Sequence, residues 1–263
     1  MQSLKLIKLF AQASLQEELA YRSNFFISVL NSLLNLGTGV LGLVVVFGQV
    51  QTIQGWTLNG TLAVLGSYLM VSAMRALFIG PSLESLAGMD GEVWSGQLDF
   101  TLLRPRNTQF LASFRRWRLL ALFDLVLGLG VLIVAVAGLS QTVTVGQLIA
   151  FVITLGAGVT ILYAILLAFA GLVFWSPGVL FTWVFDGLFQ LARYPVGLYP
   201  GWLRLVLTWI VPVGVITTVP AQALTGALSI ELMIGSGVLA VVLLIGASLI
   251  FRAGLRRYAS ASS

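Results

Sequence analysis

The chain has 263 residues, of which 59% are hydrophobic and only 9% are charged, and its net charge at pH 7 is +5. A soluble domain carries about 25% charged residues because its surface must be solvated, so this composition excludes a water-soluble protein. It indicates an all-α integral membrane protein, since a helix satisfies its own backbone hydrogen bonds in lipid.

Missing residue types exclude several kinds of chemistry. The chain has no cysteine and no histidine, which excludes disulfides, thiolate metal sites and the commonest general base. No lysine follows Lys8, so the P-loop motif, which needs a lysine after a glycine-rich turn, is absent. We therefore expect no metal or cofactor on this chain. The basic residues lie beside apolar runs, which favours membrane lipids over nucleic acid as partners.

Residues 1–23 are predicted to form an amphipathic helix that lies in the membrane interface. Its apolar face carries six residues at three- and four-residue steps: Leu4, Ile7, Phe10, Ala11, Leu15 and Leu19. Such a stripe suits a helix whose apolar side enters the acyl boundary. The alternative interpretation is a frayed extension of the first membrane span.

Apolar runs predict six membrane spans, because a span needs roughly 20 apolar residues. Five runs are clear: 25–50, 57–79, 119–139, 147–175 and 234–251. Two shorter pieces lie before the last run. We interpret 178–194 as a span and 202–219 as a re-entrant pair of short helices inside an outer segment, 195–230. The opposite assignment of these two pieces remains open.

Basic residues predict the orientation. Eleven of the fourteen lie before the first span, in the segment 80–118 and in the tail. The positive-inside rule places these three regions in the cytoplasm. Both termini are then cytoplasmic, which requires an even number of spans.

The segment 80–118 is the longest predicted loop, and long loops in compact proteins are usually functional. It contains Trp94, Phe100 and several leucines beside acidic residues. A loop that is only solvated would not carry these large apolar side chains. We expect short helices around Gly96 to present them to a partner.

One sequence in this loop carries a family resemblance: Glu92-Val-Trp-Ser-Gly96-Gln-Leu98-Asp99-Phe-Thr-Leu102-Leu103-Arg104-Pro105. It resembles the cytoplasmic signature of ABC-2 type transporter permeases, a run of the form G-x-L-D-x-x-L-L-R-P after the second span. The predicted topology resembles that family over nearly the whole chain, and the stretch 211–221 resembles the family's sequence before its last span.

The resemblance implies a permease subunit of an exporter in the bacterial plasma (inner) membrane, with no ATPase site of its own. Its implied partners are two copies of a cytoplasmic ATP-binding subunit, which hold ATP and Mg, and a second permease, identical or paralogous. The loop would supply the coupling contacts to the ATPase, centred on Glu92, Trp94, Gly96, Leu98, Asp99 and Arg104. Alternatively, the leucines of the loop pack under the helix bundle.

Three charged residues lie within or beside the predicted spans. Arg75 and Asp124 lie near the cytoplasmic ends of their spans, where an Arg75–Asp124 pair would offset the cost of an intramembrane charge; snorkelling is the alternative. Asp186 lies deeper. It is interpreted as a contact for a polar substrate group or as one member of a structural ion pair, for example with an arginine of a second permease.

Two other functions compete with an ABC permease. An ion-driven secondary transporter or channel would need several convergent intramembrane carboxylates, and only Asp186 is well inside a span. An intramembrane enzyme would need a nucleophile and a base, and no Gly-x-Ser-x-Gly motif is present. Small residues that could bring helices close together are Gly156, Gly158, Ala164, Ala168 and Gly171.

Overall fold

The computed structural model describes residues 2–20, 22–88, 91–176 and 181–258 and is almost entirely helical. Within these ranges the only extended pairing is a single bridge, Ile53–Trp56. The α-helices are α1 Gln2–Ala20, α2 Arg22–Phe47, α3 Leu58–Met74, α4 Gly80–Leu83, α5 Leu98–Leu102, α6 Thr108–Phe114, α7 Ala121–Ala137, α8 Val145–Leu172, α9 Phe181–Gln190, α10 Gly201–Leu205, α11 Val213–Leu224 and α12 Ile230–Arg257.

In the described part of the chain, four helical segments are long and apolar enough to cross a membrane: Phe25–Phe47, Leu58–Leu86, Val145–Leu172 and Ile230–Arg257. The pair Gly201–Ile210 and Val213–Leu224, bent by 92°, makes a fifth if it is counted as one span. The other two predicted spans are shorter helices, α7 with 17 residues and α9 with 10. Residues 177–180, where one predicted span begins, lie outside the described residues.

Several helices begin at polar caps next to apolar runs. Thr57 caps α3, accepting from the Gly60 amide at 3.2 Å, and Ser229 caps α12, accepting from the Leu232 amide at 3.2 Å. At α8, Thr144 and Gln147 form a capping box. Each cap satisfies an amide that would otherwise lack a partner, so the helix starts follow directly from the sequence.

The core is built around α3 and α8. Helix α3 packs against α7 and α11, and α8 packs against α11 and α12. Glycines allow the closest crossings. A Cβ atom at Gly254 of α12 would lie 2.6 Å from the Gly171 carbonyl oxygen of α8, and one at Gly158 would lie 2.6 Å from the Ile216 carbonyl oxygen. Gly156, which was also expected at a contact, faces open space.

The end of α3 differs from the prediction. The helix does not stop at residue 79 but continues through a π-helical turn, Arg75–Ile79, to Leu86. Pro81 has no amide hydrogen and cannot donate to the Leu77 carbonyl. The Arg118 amide donates to that carbonyl instead, at 2.8 Å. This bond lets the helix continue past proline and ties its end to the segment before α7.

Helix α2 is the most peripheral of the long helices. Only 11% of the residues in its most apolar stretch are buried, compared with 56% in the segment that contains α3. Its exposed side chains are mostly leucine, valine and phenylalanine. A polar row, by contrast, lies on the side that faces α3 and α7.

Candidate functional site

The segment between α4 and α7 lies at one end of the bundle, and α6 fixes it there. The Ser113 hydroxyl lies 2.8 Å from the Tyr163 hydroxyl of α8, and Gln109 donates to the Ser248 hydroxyl of α12 at 3.0 Å. Ser82 both donates to and accepts from the Arg116 backbone. The segment is therefore attached to the three helices that form the core.

Glu92 is the buried anchor of this segment. Its side chain is 4% exposed, and its carboxylate accepts hydrogen bonds from Arg115, from Arg116 at 3.0 Å and from the Ser85 hydroxyl at 3.2 Å. The Glu92 amide also donates to the Ser85 carbonyl at 2.9 Å. A buried carboxylate needs such partners. Glu92 was expected among the contact residues, but in this structure its carboxylate is used within the chain.

The inner side of α5 continues the anchor. Leu98 is fully buried and Thr101 nearly so, and Arg115 donates to the Thr101 hydroxyl at 2.7 Å. The Leu98 amide donates to the Glu92 carbonyl at 3.1 Å. Before α5, Gly96 has a φ of 72°, a left-handed conformation that favours glycine. Leu98 thus packs under the bundle, as the alternative interpretation held.

The outer side of the same segment is apolar and exposed. Trp94 is 57% exposed, Phe100 72% and Leu103 81%, with Leu102 at 37%. Arg104 follows them and is also exposed. We call the set Trp94, Phe100, Leu102, Leu103 and Arg104 the outer face. These large apolar side chains are exposed together on an anchored support, which makes the outer face a candidate interaction surface.

Asp99 lies at the border of the outer face and is half-buried. Its carboxylate neighbours the hydroxyl of Tyr258, which follows the last residue of α12. Burial, together with the Asp99 carboxylate, raises the pKa of Tyr258 to about 12. Asp99 therefore places α5 beside the end of α12.

The first helix also contacts this region. The Ser14 hydroxyl accepts from the Trp117 amide at 3.1 Å, and the Glu18 carboxylate accepts from the Leu120 amide at 3.2 Å. Of the predicted apolar face, Ile7, Phe10 and Ala11 are half-buried and Leu15 is exposed. The side chains of Leu4 and Leu19 lie outside the described residues.

The charged residues of the spans form a different ion pair from the one expected. Arg75 pairs with Glu84 at 2.6 Å and with Asp186 at 2.5 Å, and its guanidinium lies 5.8 Å from the Phe185 ring. The Arg75–Asp124 pair does not form. Asp186 is one member of a structural ion pair, whose other member is Arg75 of the same chain. Asp124 lines a cavity between α2 and α7.

Sequence reasoning missed the arginines that hold the segment together. Arg115 and Arg116 entered the sequence analysis only as basic residues of the segment 80–118, which were used to predict the orientation. A partial signal was present: an Arg-Arg pair follows several acidic residues within the same loop. The described residues contain no group of three or more acidic side chains that could hold a metal ion.

Comparison with known proteins identifies a family. The family described as "ABC-2 family transporter protein" matches residues 33–262, which is most of the chain. No curated protein matches the chain, and no solved structure matches it.

Proposed function

Because the chain belongs to the ABC-2 family of transporter proteins, we propose that it is the permease subunit of an exporter powered by ATP hydrolysis on a separate subunit. Family membership makes it a multi-pass membrane protein of a transporter that works with an ATP-binding subunit. The proposal adds a direction of transport, a site of coupling, and ATP with Mg held by the partner. It also adds two copies of that partner and a second permease.

The observation that supports coupling is the outer face. Its apolar side chains are exposed on a segment that the Glu92–Arg115 ion pair holds together and that α6 attaches to α8 and α12. A partner that pushes on Trp94 or Leu103 would therefore push on α8 and α12 through α6. Force transfer of this kind needs a rigid support, because a flexible loop would absorb the movement.

Within this proposal, the outer face, both termini and α1 lie on the cytoplasmic side of a bacterial plasma membrane, and α1 lies in its interface. Six spans are completed by α7 and α9, with the bent pair α10–α11 re-entering from the outside. The π turn and the bond from Arg118 to Leu77 connect α3 to this cytoplasmic side.

The outer face can be tested by site-specific photo-crosslinking. A benzoylphenylalanine at Leu103, in the chain expressed in its native host, should form an adduct with a subunit that carries a P-loop. The matched control is benzoylphenylalanine at Val242, an exposed residue of α12, which should crosslink to lipid or to another membrane protein. An adduct to lipid alone at Leu103 would show that the outer face lies in the membrane, and would reject the coupling role.

Affinity provides a second measurement. Trp94→Ala should weaken binding of the ATP-binding subunit about thirtyfold, since a buried aromatic anchor carries about 2 kcal/mol or more. Val145→Ala is the matched apolar truncation at the other end of the bundle, where Val145 is 72% exposed, and it should leave binding unchanged. Unchanged binding in Trp94→Ala would remove Trp94 from the contact.

A further inference from the structure

A polar groove runs into the apolar bundle beside α2. It consists of a wide cavity of about 870 Å³ near the ends of α1 and α3 and a narrower one of about 360 Å³. The two cavities share Ser28, Ser72, Arg118 and Leu120 in their walls, so they adjoin each other. The narrower part reaches Leu127, almost two turns into α7.

One wall of the groove is a polar row on α2. Ser28, Asn31, Ser32 and Asn35 line the narrow cavity, and their three- and four-residue spacing places them on a single helix face. Tyr68 lies on the opposite wall. Two asparagines and two serines are costly in a helix that is otherwise surrounded by lipid. Their common direction indicates a polar occupant or water between α2 and α3.

Two arginines in this groove lack a carboxylate partner among the described residues. Arg118 and Arg193 both line the narrow cavity, and neither forms an ion pair with another described side chain. The Arg193 Nη2 donates to Asn35 at 3.3 Å, and its guanidinium lies 5.2 Å from the Tyr68 ring. Its Nε is buried and has no hydrogen-bond partner.

The arginines of the groove favour an anion. Arg75 is neutralised by Glu84 and Asp186, and two further carboxylates line the groove, Asp124 in its narrow part and Glu18 in its wide part. Among the described side chains neither forms an ion pair with Arg118 or Arg193, so both guanidiniums keep donors for a ligand. A guanidinium donates two parallel hydrogen bonds to phosphate or carboxylate, and the unpartnered Arg193 Nε is a donor that such an anion would occupy.

The outer boundary of the groove indicates an amphiphile. Helix α2 is largely unburied, and its other side presents Leu30, Leu33, Leu34 and Leu41 to the surroundings. A molecule with a polar head in the groove would hold its chains against this apolar surface. The volume is in the range of cavities that bind drug-sized ligands, so it accommodates a headgroup without the chains.

We propose that this groove binds the phosphate-bearing headgroup of a lipid-like amphiphile. Arg118 and Arg193 bind its phosphate, and the polar row of α2 binds its hydroxyl groups. The wide cavity opens at the end of the bundle that carries the outer face, so the headgroup enters from that leaflet. As an assignment of the cargo class this inference rests on the proposed permease function, whereas the binding itself is a property of this chain alone.

The test measures binding to the purified chain by native mass spectrometry in detergent. Three probes separate the sources of the anion: phosphatidylglycerol, diacylglycerol with the same chains but no phosphate, and glycerol 3-phosphate with no chains. We expect phosphatidylglycerol to bind, diacylglycerol to bind at least about tenfold more weakly, and glycerol 3-phosphate to compete only weakly. Equal binding of diacylglycerol, or glycerol 3-phosphate binding as tightly as the lipid, would overturn the proposal.

Variants locate the site. Arg118→Gln and Arg193→Gln should each weaken phosphatidylglycerol binding about tenfold or more, because a charge-assisted hydrogen bond is lost. Asn35→Leu keeps both arginines and should also weaken binding by filling the groove. The matched control, Arg204→Gln, changes an arginine outside the groove that donates to the Gly197 carbonyl at 2.5 Å, and should bind as wild type. If all three groove variants, folded and monodisperse, bind like wild type, the site is wrong.

Failure of this proposal is distinguishable from failure of the proposed function. A chain that crosslinks the ATP-binding subunit at Leu103 but does not bind the lipid is a permease with another cargo. A chain that binds the lipid through Arg193 but never crosslinks an ATP-binding subunit has a lipid site without the coupling role.

Discussion

Replacing Glu92 with glutamine tests whether one buried carboxylate holds the outer face in place. The change keeps the side chain's shape and removes its charge, which leaves the Arg115 guanidinium, 22% exposed, without its counterion. Breaking a buried ion pair costs about 3–5 kcal/mol. Arg116 is 50% exposed and contributes little, so we take the lower end, about 3 kcal/mol, which is roughly a hundredfold shift in the local opening equilibrium.

Hydrogen–deuterium exchange of the detergent-solubilised chain measures that opening. Peptides covering 91–104 should exchange about a hundredfold faster in Glu92→Gln, because the Leu98 amide donates to the Glu92 carbonyl. Peptides from the centre of α3 should be unchanged. The matched control is Glu231→Gln, the same chemical change at an exposed position in the first turn of α12, where the loss is under about 1 kcal/mol.

Two results would refute this reasoning. Unchanged exchange over 91–104 in a folded Glu92→Gln chain would show that the ion pairs do not hold the segment. Equal acceleration in 91–104 and in α3 would show that Glu92 stabilises the whole bundle and has no local anchoring role.

Three further predictions use other parts of the structure. Gly254→Ala should lower the free energy of unfolding by about 1–3 kcal/mol, because the added Cβ overpacks against the backbone of α8. Gly246→Ala on the same helix should not, because a Cβ there meets nothing within 4 Å. Thermal unfolding of both variants in detergent measures the difference. The pKa of Tyr258 is raised to about 12 from 10.0, so its contribution to stability is complete below pH 10 and is lost as the pH rises towards 12. Between these pH values the melting temperature of Tyr258→Phe should fall less than that of the wild-type chain. In this cysteine-free chain, a cysteine at Gln97 should be labelled only from the cytoplasm and one at Gln141 only from outside, and the reverse pattern would overturn the proposed orientation.

The sequence predicted the long helices well because lipid leaves the backbone few choices. Apolar length alone located α2, α3, α8 and α12 within a few residues, apart from the end of α3. Gly80-Pro81 is a pattern that usually ends a helix, but here the helix continues to Leu86 because of a tertiary hydrogen bond. The Arg118 amide, 37 positions after the proline in the chain, supplies the hydrogen bond that Pro81 cannot, and no local pattern reveals such a donor.

The loop chosen as the candidate site does carry exposed apolar side chains, but the sequence could not separate the roles of its residues. Composition showed that Trp94 and Leu98 were unusual in a loop, yet only the fold shows that Trp94 points out and Leu98 points in. Ion-pair partners were predicted least well. Arg75 and Asp124 were predicted to pair because both lie near the same ends of their spans. The observed partner, Asp186, is 111 positions away in the sequence. At that separation only the packing of the helices decides which residues are close.

The alternation of buried and exposed residues between Glu92 and Leu103 has a consequence for engineering. The side chains that attach the segment to the bundle, Glu92, Leu98 and Thr101, differ from those on the outer face. A graft that exchanges only Trp94, Phe100 and 102–104 for the residues of another permease should therefore transfer recognition of the other permease's motor subunit without rebuilding the helices. If the outer face recognises the motor subunit as proposed, anchoring and recognition occupy separate residues, and the choice of motor is a replaceable part of this protein.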